Sequence, residues 1–254
     1  MVEWKGDDIT RWDDEKMATF RNNEMGFIFQ FHHLLPEFSA IENVMIPAII
    51  QGKSEKESNR LAKELLDEFE LSHRTKHRPN QLSGGMQQRV AIARALAPGP
   101  KVLLLDEPFA ALDAQTRRRM QRHLLEIWRA LNITVVFITH DFLEAIKMGD
   151  HIAIMKDGEI VQIGTPEEIV AAPVDDYVRE FTEDVPRYKV LSVGKVMRPA
   201  RKGLKPDGAI RANIKIEAAI AQVADTDQPL AVVNEAEEIV GEIDREIMMR
   251  AMTS

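Results

Sequence analysis

The sequence predicts an α/β fold: a parallel sheet core with an α-helical subdomain, followed by a small α+β domain. Three observations carry this. VLLLDEP, from Val102, has almost no polar alternation, which suits a parallel strand buried on both faces. ITVVFITH, ending at His140, is a second apolar strand, and a helix over about 114–131 lies between the two. Near Pro186 the composition shifts, and residues 190–254 show an α+β order of their own. A linker is placed at about 182–190, giving domains 1–185 and 190–254.

The other elements follow in order. Residues 1–30 hold a polar opening and then GFIFQ, a short apolar strand ending in Gln30. Residues 38–80 read as helical, with Leu61, Leu65, Leu66 and Phe69 at helical spacing and Pro36 and Pro47 interrupting the start. Ser83 caps a helix to about Ala97, where Pro98-Gly99-Pro100 stops it, so the helical subdomain covers about 38–97. Beyond His140 come a helix, DFLEAIKMG, and two short strands around Asp157-Gly158, a hairpin signal. Thr165-Pro166-Glu167-Glu168 opens a further helix, with Pro in the first turn and acids at the positive dipole end. The tail reads as KVMRP, a helix from about Ile210 to Val223, strand PLAVV, a turn at Asn234–Glu237, strand IVGEI and helix DREIMMRAM.

Bulk properties narrow the function. A chain of 254 residues, 44% hydrophobic and 29% charged, is globular in composition. A formal charge of -8 argues against a nucleic-acid platform, so no nucleic acid is expected as partner. Without cysteine there is no disulfide framework and no thiolate metal site. The opening MVEWKGDDITRWDDEK has no apolar signal-peptide core. Apolar runs such as VVFI and VMIPAII fall far short of the roughly 18–20 residues that span a bilayer, so any transport role needs separate membrane subunits.

The chemistry gathers in LSGGMQQRVAIARALAPGPKVLLLDEPFAALD, Leu82–Asp113. Ser83 stands at a helix start, where free N–H groups and the dipole favour an anion, and Gly84 and Gly85 let a phosphate approach the backbone. Asp106 and Glu107 end a buried strand, where ligands of open parallel sheets bind. One carboxylate there can hold Mg²⁺, and its neighbour can orient and activate a water. His140 ends the next strand and Gln30 ends GFIFQ. Any one of these alone is unremarkable; their order and spacing give them weight.

That stretch closely resembles the signature motif, Walker B motif and D-loop of ABC-transporter ATPases, whose nucleotide-binding domain is a RecA-like sheet core plus a helical subdomain. The resemblance implies ATP and Mg²⁺ as cofactors. It assigns Asp106 to magnesium and Glu107 to the general base. Ser83, Gly84, Gly85 and Gln87 become the signature that contacts the γ-phosphate held by the opposite subunit. Asp113 becomes the D-loop aspartate, His140 the switch histidine, and Gln30 the Q-loop glutamine that bonds magnesium or water. His32 and His33, adjacent in sequence, read as surface loop.

One part departs from the family. A phosphate loop reads GxxxxGK[ST] between a strand and a helix. The GKS at Gly52-Lys53-Ser54 has Pro47 where the first glycine belongs, and it lies downstream of Gln30. It reads as a decoy, and the chain looks as if it begins after the missing loop, N-terminally truncated. ATP turnover of the chain is accordingly expected to be weak.

The likeness varies along the chain. Residues 26–50 look most like the ATPase of the bacterial lipoprotein-releasing system. From about Leu82 onward the chain is similar to the ATPase of glycine betaine, proline and choline importers, which carry CBS-type modules in the position of residues 190–254. The chain therefore reads as a mosaic or a truncated gene product. In the tail, Asp244 and Ile247 stand where adenosyl-binding CBS modules carry Ser/Thr and Asp, which points to a dimerisation or docking module. The resemblance implies a quaternary-amine importer subunit on the cytoplasmic face of the bacterial inner membrane. A second ATPase subunit, transmembrane permease subunits and an external solute-binding protein would be its partners. The alternatives are a lipoprotein-releasing ATPase and a non-catalytic partner that offers only its signature half-site.

Overall fold

The computed structural model describes residues 2–30, 32–110, 112–201, 203 and 206–253. It divides into two compact units, Met1–His140 and Asp141–Ser254.

In the first unit, β1 (Glu3–Trp4) and β2 (Asp7–Asp8) form a two-residue antiparallel pair. Helix α1 (Asp14–Glu24) follows, capped by the Asp13 carboxylate on the Lys16 N–H at 2.8 Å. Strand β3 (Met25–Ile28) leads to Gln30. Three helices then build the helical subdomain: α2 (Ala40–Ile50), α3 (Glu55–Glu68) and α4 (Gly84–Leu96). Ser39 and Glu42 close a capping box on α2, and Ser54 and Ser83 cap α3 and α4. Strand β4 (Val102–Asp106), helix α5 (Ala114–Leu131) and strand β5 (Thr134–Ile138) complete the unit. Helix α5 ends at Asn132, which takes the left-handed region at φ 50°.

The sheet is parallel, in the order β3-β4-β5. Leu103 and Leu105 are buried on one face, whereas Val102 and Leu104 on the other are only half-buried and Val136 and Ile138 of β5 are exposed. The apolar run of β4 thus covers one face fully and the other in part, short of the two-sided burial its composition suggests. Gly26 shows how closely β3 lies on α4. A Cβ there would meet the Ala95 carbonyl oxygen at 2.6 Å and Leu103 Cδ1 at 2.7 Å. Gly26→Ala is expected to cost about 1–3 kcal/mol, the range for overpacking a tight core, and a lowered denaturation midpoint in urea checks it.

The second unit begins with α6 (Phe142–Met148), capped by Asp141, and the hairpin β6 (Ile152–Lys156) and β7 (Glu159–Gly164). Asp157 and Gly158 both take positive φ, 51° and 84°, as the two-residue hairpin turn requires. Short helices α7 (Pro166–Ala171), α8 (Asp176–Thr182), α9 (Arg187–Val190) and α10 (Val193–Val196) follow. Then come β8 (Ala209–Arg211), α11 (Ile216–Ala224), β9 (Leu230–Val233), β10 (Ile239–Ile243) and α12 (Arg245–Thr253), with strand order β10-β9-β8.

Two expectations change here. Residues 210–215 are not helical: Ile210 is a buried residue of β8, paired in parallel with Val232, and the helix starts only at Ile216. The stretch near Pro186 does not separate two bodies. Val185, Val190, Leu191 and Val193 are buried in one core with Val170, Ile210 and Ile216, so residues 141–185 pack with the tail and the units divide at His140/Asp141. The polarity of 182–189 hid the apolar residues that point inward.

An ion cluster fastens the segment after α10 to β10. Glu242, with 0% exposure, accepts from Arg198 Nε and Arg201 Nε, each at 2.6 Å. Asp244 accepts from Arg198 at 2.5 Å and caps α12 through the Ile247 N–H at 2.9 Å. Burial would raise the Asp244 carboxyl, but the Ile247 N–H and the Arg198 guanidinium outweigh it and hold it below the ordinary carboxylate value.

Candidate active site

Three strand ends place the site. Gln30 follows β3, Asp106 and Glu107 stand at the end of β4, and His140 follows β5. Because the strands are parallel and adjacent, these residues share the C-terminal edge of the sheet, where catalytic groups of such sheets collect. Gln30 Nε2 donates to Glu107 Oε2 at 3.1 Å, and His140 Nδ1 lies 3.0 Å from Glu107 Oε1. Glu107 is the centre of this group, with one neighbour on each carboxylate oxygen. Its backbone is fixed as well: φ is 42°, a left-handed conformation uncommon for a side chain this large, held by its N–H on the Ile138 carbonyl at 3.0 Å. Phe109 is buried below it, its ring 5.7 Å from that of Phe137.

Asp106 is exposed beside Glu107 and faces Ile138 in the register. Gln30 turns its amide nitrogen to Glu107, so Oε1 is the atom it could offer to a metal. An exposed strand-end carboxylate and an amide oxygen suit Mg²⁺, which binds through one or two protein oxygens and completes its shell with water and phosphate.

The other predicted residues sit at two helix starts. Ser83 Oγ accepts from the Met86 N–H at 3.4 Å, and Gly84 is open: a Cβ there would meet nothing within 4 Å. At Gly85 a Cβ would meet Thr116 Cγ2 at 3.2 Å, so the start of α4 lies against the start of α5. Asp113 caps α5, accepting from the Gln115 and Thr116 N–H groups at 3.0 and 3.1 Å. Hydrogen bonding at Thr116 and Gln115 holds its carboxyl below the ordinary value, so it stays ionised. Gln87 spends its amide nitrogen on the Pro79 and Leu82 carbonyls, at 2.9 and 3.1 Å, tying down the turn before Ser83. The predicted residues therefore form two groups: Gln30, Asp106, Glu107 and His140 on the sheet edge, and Ser83, Gly84, Gly85, Gln87 and Asp113 at the helix starts.

Gly52-Lys53-Ser54 lies between two helices, α2 and α3, where a phosphate loop would follow a strand. Lys53 Nζ binds Gln51 Oε1 at 2.5 Å, and Ser54 caps α3. These contacts agree with its reading as a decoy.

Two residues that sequence reasoning missed hold the loop after Gln30. Arg94 of α4 donates to the carbonyls of His33 at 2.7 Å and His32 at 3.0 Å. Asn43 of α2, fully buried, accepts the Leu35 N–H at 2.8 Å and donates to the Leu35, Phe38 and Ser39 carbonyls at 3.0–3.1 Å. His32 is half-buried and His33 exposed; burial lowers the His32 pKa and keeps its ring neutral. A cavity of about 450 Å³ opens beside Gln30, His32, Pro79 and Gln87.

Comparison with known proteins identifies the family. The family model described as ABC transporter matches residues 1–110. The trimethylamine N-oxide transport system ATP-binding protein of Pelagibacter ubique is 40% identical over 238 residues, 94% of this chain and 70% of that protein. The glycine betaine/carnitine transport ATP-binding protein of Listeria monocytogenes is 43% identical over 204 residues, 80% of this chain and 51% of that protein. The lipoprotein-releasing system ATP-binding protein of Geobacter metallireducens is 47% identical over 160 residues, 63% of this chain and 71% of that protein. Among solved structures, the ATP-binding cassette MJ0796, a dimer bound to ADP and Pi, is 38% identical and superposes with a TM-score of 0.58, covering 64% of this chain and 71% of that one. A parallel sheet with its carboxylates at the strand ends, a Ser-Gly-Gly helix start and these relatives lead to one conclusion: the chain belongs to the ABC-transporter ATPases, the ATP-hydrolysing subunits of transporters.

Proposed function

We propose that the chain serves an importer of a small methylated amine and works as one of a pair of ATPase subunits beneath a permease, with Glu107 as the residue that activates water. The observation that carries the catalytic part is the grouping of Gln30 and His140 on the two carboxylate oxygens of Glu107. The likeness to the trimethylamine N-oxide and glycine betaine proteins supports the substrate class; the likeness to the lipoprotein-releasing protein keeps lipoprotein release as the second reading. No helix among the described residues is long and apolar enough to cross a membrane, which supports separate membrane subunits; the chain itself would sit peripherally at the cytoplasmic face of the bacterial inner membrane.

Asp106 and Gln30 would hold Mg²⁺, which when bound would offset the charge of the phosphates. Glu107 would take the proton of the attacking water, and His140 beside it would hold the carboxylate in place. Ser83, Gly84, Gly85 and Gln87 would present the start of α4 to a γ-phosphate bound by a second subunit, and Asp113 would fix the neighbouring start of α5. We assign residues 190–254 the part of a CBS-like docking module. Its Asp244 is already committed to Arg198 and to the cap of α12, and it offers a phosphate no hydroxyl donor.

These 254 residues contain no GxxxxGK[ST] between a strand and a helix, so the positioning of ATP by a lysine and an N–H cradle is not theirs to supply. The purified chain should turn over ATP only weakly, as followed by phosphate release. Robust turnover that disappears in Glu107→Gln would overturn this and point to a substitute phosphate-binding loop.

A further inference from the structure

The loop that carries Gln30 is held by side chains of two different helices. Beyond Phe31, the carbonyls of His32 and His33 converge on one guanidinium, that of Arg94, at 3.0 and 2.7 Å. The next turn, 35–39, is held separately by Asn43 from α2. Arg94 belongs to α4, the helix that begins at Ser83, and lies roughly 16 Å along it from that start. Before Gln30, Gly26 seats β3 on the same helix at Ala95. Helix α4 therefore grips the chain on both sides of Gln30, and its other end presents Ser83, Gly84 and Gly85.

We propose that Arg94 is a positioning residue: it ties the Gln30 loop to α4, so that Gln30 at Glu107 and the Ser83–Gly85 helix start move as one body. The choice of side chain fits this task. A planar fork can donate to two carbonyls at once with fixed geometry, whereas a lysine ammonium is a compact point charge on a flexible stem. The proposal rests on the ATPase reading only for the consequence at Gln30; the tie itself is a matter of the loop.

Hydrogen exchange followed by mass spectrometry on the full chain tests it, with wild type, Arg94→Lys and Arg94→Ala compared. Loss of two charged hydrogen bonds should speed exchange of the amides in 29–36 by about tenfold or more in Arg94→Ala. Peptides covering the turn at 37–39, which Asn43 holds, and β4 should be unchanged. Guanidinium ion at millimolar concentration should restore protection in Arg94→Ala where ammonium does not, and Arg94→Lys should protect only in part. Unchanged exchange in 29–36, or faster exchange in β4 and α4 to the same degree, would overturn the proposal and make Arg94 an ordinary packing residue. Adding MgATP separates the two ideas. Failure of MgATP to alter exchange at 29–36 in the wild type would count against the nucleotide role of Gln30, while the effect of Arg94→Ala without nucleotide still decides the tie.

Discussion

Supplying a strand, GxxxxGK[ST] loop and helix ahead of Met1 is expected to raise ATP turnover by on the order of 10³-fold or more. The reasoning is electrostatic. Phosphoryl transfer is catalysed mainly by positioning and charge stabilisation, and losing a single preorganised donor from such a site typically costs about 10²–10³ in rate. An absent phosphate loop removes a lysine and several N–H donors together. The other parts proposed for the site are the Gln30–Glu107–His140 group on the sheet edge, Asp106 beside it, and the two helix starts at Ser83 and Asp113. In the supplied protein, Glu107→Gln should return turnover close to that of the original chain while leaving ATP binding intact, because the amide keeps the shape and loses the proton acceptor. Phosphate release and nucleotide retention on the same samples measure both.

The second large effect is one of stability. Glu242→Ala should destabilise the second unit by about 2–3 kcal/mol, read from urea or thermal unfolding. The carboxylate is fully buried and accepts from two arginines, so its removal deletes two charge-assisted bonds at 2.6 Å and leaves a void. The figure lies below the roughly 3–5 kcal/mol for breaking a buried pair because Arg201 is 62% exposed and can return to water. Acid should act on the same cluster through Asp244. Its folded-state pKa is depressed, so its contribution is fully present above the unfolded value near 3.9 and is lost as the pH falls below it. Unfolding midpoints should therefore drop below about pH 4, and less so in Asp244→Asn, where that linkage is gone.

How far the sequence disclosed this molecule depended on how local the cause was. Helix α5 spans the expected 114–131, and its causes are local: Asp113 caps it and Asn132 ends it. The capping box at Thr165 and the hairpin at Asp157-Gly158 likewise have causes within a few residues. Gln30, Glu107 and His140 could be singled out because each closes an apolar run at the place where the resembling family carries its motif, and a parallel sheet brings such ends together. Arg94 and Asn43 could not. An arginine late in a helix and an asparagine in an apolar stretch carry no pattern, and their partners are backbone carbonyls at distances set by tertiary packing. The helix read over 210–223 failed at its start for a similar reason: pairing with β9 captured Ile210 into a strand. Nor did composition reveal that residues 185–193 supply core to the second unit, since Arg187, Lys189 and Ser192 interrupt the buried Val185, Val190, Leu191 and Val193.

The central claim is that these residues form the hydrolytic and signature parts of a nucleotide-sandwiching ATPase. Light scattering on the loop-supplied Glu107→Gln protein tests it most directly. With MgATP the mass should double, and it should return to that of the monomer with MgADP or when Ser83→Arg blocks the start of α4. A monomer under every nucleotide condition, with ATP nevertheless bound, would contradict the account.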